Sequence, residues 1–308
     1  MKHNFTAIIF TVLFNPLVTL LAADAPVSHR ILCADYNSVS RVGGKIAIVD
    51  ADGSVEWEFP AKGPGNCMML PNGNILFCDI EGPKEVTPDK KIVWQYQPKA
   101  PALCHFCQPL PDGRMLIAES LMSRLIEVGR DGKVIKEIKV PSNPAKVNSH
   151  QFRGIRKTAD GHYWVCMMEE GKILELSPEG AVLKEIQLPG LPCEAINLPD
   201  GHLLVTMWKP GRVVELDENL KTVWEITENE LPGNPLRIPF GCQRLPNGNT
   251  LVCNSLILGF VGKQPQAFEV TPEKKVVWEF ADHGRFKVVT YIQVLDAPAD
   301  ATKGEVLR

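Results

Sequence analysis

The sequence has no excess of positive charge: 33 Lys and Arg stand against 36 Asp and Glu, a formal net charge of −3 with the signs interspersed. Without a basic stripe nothing is offered to a phosphate backbone, and no nucleic-acid partner is expected. Long apolar runs are scarce as well. The longest, from Ala7 to Leu21, is interrupted by Asn15 and Pro16 and is short for the roughly 20 residues of a membrane span. Lys2 and His3 before it and the small Ala22 and Ala23 after it give it the layout of a signal peptide. Residues 1–23 are therefore expected to be removed on export, leaving a periplasmic or extracellular protein with no transmembrane anchor. No cysteine directly follows the run, so no lipid anchor is expected either.

Extended 3.6-residue periodicity is missing, which argues against a helical array. There is no nucleophile elbow and no phosphate loop. The nine cysteines are an odd number, in a chain too long to need disulfide stapling.

What is present is repetition. The segments VDADGSVEWEF, VTPDKKIVWQY, VGRDGKVIKEI, LSPEGAVLKEI, LDENLKTVWEI and VTPEKKVVWEF end at Phe59, Tyr96, Ile138, Ile186, Ile226 and Phe280. Each reads as strand, tight turn, strand. Between copies lies a second turn, such as Pro71-Asn72-Gly73 or Pro246-Asn247-Gly248, followed by another apolar strand. A unit of two hairpins, at a spacing near the roughly 40 to 45 residues of a propeller blade, predicts an all-β, six-bladed β-propeller of four-stranded antiparallel blades over residues 28–308. HRILC ending at Cys33 matches the strand NILFC ending at Cys78, and IQVL ending at Leu295 matches CQRL ending at Leu245. The last blade is therefore expected to be closed by both termini, which leaves few open edges.

Alignment of the copies accounts for many conspicuous residues. Trp57, Trp94, Trp224 and Trp278 share one position, as expected of blade packing. Cys33, Cys78, Cys166 and Cys253 share a second, and Cys67, Cys107 and Cys242 a third. They read as compact apolar core residues, reduced and too far apart from blade to blade to be bridged. Cys104, His105 and Cys107 are a short cluster without a second ligand pair, so no metal is expected.

The LPNGN turn, its following apolar strand and the VTPEKKVVWEF hairpin resemble the PQQ-like and arylsulfotransferase-like propeller repeats of secreted bacterial proteins. The resemblance spans residues 28–308 and implies the fold. PQQ dehydrogenases form eight-bladed rings, so six copies argue against that cofactor, and no cofactor is expected. The arylsulfotransferase catalytic motif has no residue-by-residue match, so that activity is not carried over.

The expected site is the central funnel, where polar residues that break the repeat have no packing role. His105 and Arg153 share one aligned position, filled elsewhere by Gly65, Cys193, Phe240 and Thr290. Glu194 lies one residue further on, aligned with Asn66 and Tyr291, which join it as candidate funnel residues, while His150 and Arg237 fall in the two longest loops between hairpins. Such a set suits an anionic ligand held by arginine. It also suits acid–base chemistry by histidine and glutamate, or a structural network plugging the channel. Two functions stay open. One is a binding module for a carbohydrate or other small anionic ligand, or for a protein on the rim. The other is an enzyme, such as a lyase, hydrolase or group transferase, working at the channel.

Overall fold

The computed structural model describes residues 27–37, 43–257 and 259–297. The expected signal peptide lies outside the described residues. Twenty-four strands form six four-stranded antiparallel sheets. Five blades are consecutive along the chain, at residues 66–95, 104–139, 152–187, 192–227 and 239–280, and are called here blades one to five. The closing blade pairs the C-terminal strand Val289–Val294 with Ile31–Asp35, then Gly44–Val49 and Val55–Ala61. Cys33 pairs with Ile292 on one side and Ala47 on the other, so the termini tie the ring shut.

The inner strands are Asn66–Met69, Cys104–Pro109, Phe152–Lys157, Pro192–Asn197, Pro239–Arg244 and Val289–Val294. They neighbour one another around the channel. All other regular structure is short 3-10 turns, and among the described residues no helix is long and apolar enough to cross a membrane.

The outer hairpin of each blade turns through a residue with positive φ. Glycine takes that place at Gly53, Gly132 and Gly180, with φ of 83°, 76° and 88°, where a side chain would cost energy. The other copies put Lys90, Leu220 and Lys274 there, at 66°, 63° and 66°. The turn geometry overrides residue preference. Leu220→Gly, which gives up only a surface side chain, is expected to raise stability by about 1 kcal/mol, measured by denaturant unfolding; an unchanged midpoint would contradict this account of the turn.

The shared tryptophan position seals four of the six blades to the next. Trp57 donates its indole N–H to the Pro88 carbonyl at 2.9 Å, Trp94 to Gly129 at 3.2 Å and Trp224 to Pro272 at 2.9 Å. Trp278 instead meets His29 edge-on, with ring centroids 5.0 Å apart. All nine cysteines are buried and unbridged. Burial raises the Cys78, Cys166 and Cys253 thiols well above their ordinary value, so they remain protonated core groups.

A second set of inter-blade contacts is made by glutamates just before the last residue of the third strands. Glu85 accepts from Arg130 of the next blade at 2.5 Å, and Glu127 from Lys157 at 2.7 Å and Tyr163 at 2.5 Å. Glu215 accepts from Arg244 at 2.5 Å, and Glu269 meets His29 of the closing blade at 2.5 Å. Burial opposes charge on Glu85, Glu127 and Glu269, yet their cationic and hydrogen-bonding partners hold all three below the ordinary carboxylate range. Paired in this way, a buried charge fixes the register of one blade against the next.

Candidate functional site

Five of the six inner strands, all but that of blade one, carry a β-bulge near their start. In blade two Cys104 faces Glu119 and Cys107 faces Ile117, so His105 and Phe106 together oppose one residue. Blade three bulges at Arg153 and Gly154, and blade five at Phe240 and Gly241. In the closing blade the shift falls at Thr290, between the pairs of Tyr291 and Val289. Bulges re-aim side chains, and these aim at one place. His105, Phe106, Arg153, Phe240 and Thr290 line a cavity of about 220 Å³ together with Tyr36, Pro64, Gly65, His150, Ser255 and Ile257. Five of the six blades contribute, which puts the cavity at the mouth of the central channel.

Glycine closes part of its wall. A Cβ on Gly65 would overlap the His105 carbonyl oxygen, so blades one and two can approach only with no side chain there.

The polar centre is Arg153, which is 9% exposed. Its Nη2 donates to His150 Nδ1 at 2.5 Å, and its guanidinium lies 5.3 Å from the centre of the Phe240 ring. A guanidinium has no acceptor, so His150 Nδ1 must accept and the imidazole proton sits on Nε2. The His105 ring stacks on His150 with centroids 5.8 Å apart and 22° between planes. Burial lowers Arg153 from the ordinary arginine value, but a guanidinium keeps its proton at neutral pH. No carboxylate pairs with it among the described residues, and its Nε is buried without a hydrogen-bond partner.

Of the seven residues expected in the funnel, this cavity gathers His105, His150 and Arg153. Asn66 is a staple between blades one and two: its Nδ2 donates to the Cys107 carbonyl at 2.8 Å and its Oδ1 accepts from Cys107 N–H at 3.3 Å. Glu194 does the equivalent work between blades four and five, accepting the Cys242 N–H at 3.3 Å. It is buried beside Arg156 and Tyr291, outside the cavity lining. Burial pushes its carboxyl up to about 7, against the opposing pull of Arg156 and the Cys242 amide. Tyr291 is buried against Phe106, edge-on at 6.4 Å, and also lies outside the lining. Arg237 turns away from the cavity toward Phe260, 5.8 Å from its ring, and bonds Asn229 Oδ1 at 3.4 Å. The expectation that all seven converge is thus corrected. Side chains alternate along a strand, so one step past the bulge points into the neighbouring blade.

Sequence reasoning did not single out Tyr36, Phe106, Ser255 or Ile257. Phe240 and Thr290 were visible only as alternatives in the His105 and Arg153 column. For metal, Asp200, His202 and Glu215 bring ligand atoms together, with His202 Nδ1 2.7 Å from Glu215 and 3.6 Å from Asp200. Blade three repeats this at His162, 2.8 Å from Glu175 and 3.4 Å from Asp160. Hydrogen bonds to Glu215 and Glu175 raise both histidines, which marks a repeated ion pair of the blades.

Fold and cavity define a six-bladed β-propeller with a half-open, arginine-containing pocket at one mouth of its channel. No protein-family model and no curated protein matches the chain. Among solved structures it is similar to a protein of unknown function from Bacteroides caccae, at 26% identity and a TM-score of 0.75, covering 86% of this chain and 98% of that one. A chain of a nidogen–laminin complex matches at 13% identity and TM-score 0.63, covering 88% and 99%. A catalytically inactive virginiamycin B lyase from Staphylococcus aureus, solved with quinupristin, matches at 19% identity and TM-score 0.53, covering 72% and 76%. The last two likenesses are of fold alone.

Proposed function

We propose that this propeller is an exported binding module whose channel mouth receives a small anionic ligand. Export rests on the apolar leader alone. The observation that carries the ligand reading is Arg153, a buried cation with no carboxylate partner among the described residues. Burying such a charge costs several kcal/mol, and an incoming anion offsets that cost with charge-assisted hydrogen bonds.

The test is a thermal-shift screen of small anions against their neutral analogues, on the parent protein and Arg153→Gln. An anion at a hundred times its Kd should stabilise the parent by about 2.7 kcal/mol. The variant should lose that response while melting, without ligand, no lower than the parent, since it sheds an unpaired buried charge. If the variant is clearly destabilised and no anion shifts the parent, the group is a structural plug and the proposal fails.

A second reading makes the same pocket an enzyme site, and the stacked His105 and His150 favour it, because imidazole is the commonest proton-transfer group. Mass spectrometry of the bound anion after incubation would decide between them: turnover lost in His105→Gln supports the enzyme, and recovery of the anion unchanged supports the binding module.

A further inference from the structure

The chemistry of the lining narrows the ligand further, on the reading that the pocket binds an anion. Its donors come from adjoining blades, His105 from blade two and His150 and Arg153 from blade three, counting the loop that leads into each. Facing them across the ring are Phe240 and Ile257 of blade five, Tyr36 of the closing blade and Pro64 of the loop leading into blade one. Phe106 adds a further aromatic surface.

Strong acceptors are what the lining lacks: apart from the imidazoles, its side chains offer only the hydroxyls of Tyr36, Ser255 and Thr290. Among the described residues no Asp, Glu, Asn or Gln side chain borders the cavity. The Thr290 hydroxyl donates its proton to the Pro64 carbonyl at 3.0 Å and the Ala34 carbonyl at 3.3 Å, so it offers the cavity only its lone pairs. Each hydroxyl of a sugar carries a proton that needs an acceptor, and buried polar groups without partners are costly. A sugar acid would satisfy the cation but bring more hydroxyl protons than these few hydroxyl acceptors can take. Arg153 brings the one permanent positive charge of the lining, and His150, accepting at Nδ1, adds none.

We infer that the ligand is a monocarboxylate on a flat apolar body about the size of one aromatic ring. The carboxylate meets Arg153 and the imidazoles, and the ring lies against Phe240, Ile257 and Tyr36. The cavity volume of about 220 Å³ suits a single ring.

Titration calorimetry of the whole protein with benzoate, acetate, glucuronate and benzyl alcohol tests this. Benzoate should bind at least about tenfold more tightly than acetate or glucuronate, from the added apolar contact. Ile257→Asn, changed at the mouth, should shrink that preference. If glucuronate matches or exceeds benzoate, the apolar-body inference is overturned while the anion site stands. If benzyl alcohol binds as well as benzoate, the anion site itself is wrong, and if no probe binds, both readings fall.

Discussion

A chain lacking residues 28–37 is expected to lose the ring as a cooperative unit, not merely a tail. Ile31–Asp35 is an interior strand of the closing blade, paired to Val289–Val294 on one side and Gly44–Val49 on the other. Ile31, Leu32, Cys33 and Ala34 are all at most 1% exposed, and each buried Ile or Leu is worth about 1.5–3 kcal/mol. The deletion also removes His29, which bonds Glu269 at 2.5 Å and Asp296 at 3.3 Å. Two strand edges would be left open on a sheet that natural propellers keep paired. The summed loss exceeds about 5 kcal/mol, comparable with the whole stability of a typical domain. Calorimetry should find no cooperative transition near that of the intact chain. A truncated protein melting with the parent would mean that the ring closes by some other contact.

That closure was legible because strand and turn are local. HRILC and NILFC look alike since both are second strands packing their cysteine between sheets, and the outer hairpins repeat because all blades share one turn. The tryptophan and cysteine positions behave as their repetition implied. The site was legible only in part. His105 and Arg153 could be found because they interrupt an aligned position. The bulges that turn them, with Phe240 and Thr290, toward the channel mouth leave no residue-level signature. Glu194 interrupts the repeat just as visibly, yet alternation sends it into the seam between blades, where it does for Cys242 what Asn66 does for Cys107. Arg237 was read from loop length, which says nothing of direction. The glutamates between blades had a signal that went unused: Glu85, Glu127, Glu215 and Glu269 each stand immediately before the first residue of a repeated hairpin segment, as does Glu175, which pairs with His162 within blade three.

Glu194 leads to the other large effect, a stability that falls as pH rises. The charged and titratable groups around it are Arg156, Tyr291, Cys166, Cys193, Cys242 and Cys253. Burial works on it most strongly, and Arg156 and the Cys242 N–H only partly offset this, so the carboxyl reaches about 7 from an ordinary 4.5. A folded-state value above the unfolded one means the native protein holds this proton more tightly. The resulting stabilisation is complete below about pH 4.5 and is lost as pH climbs through about 7. Between pH 5 and 9 the loss is about 3 kcal/mol, an order-of-magnitude figure from the shift in free-energy terms. Glu194→Gln keeps an acceptor for the Cys242 N–H and cannot titrate. It should match the parent near pH 5 and exceed it by up to that amount near pH 9. Other groups titrate as well, His29 among them, so the informative quantity is the difference between the two unfolding free energies at each pH. If Glu194 instead lives as an ion pair with Arg156, the variant will be the less stable protein above pH 7, and the sign of the difference curve decides between desolvation and pairing.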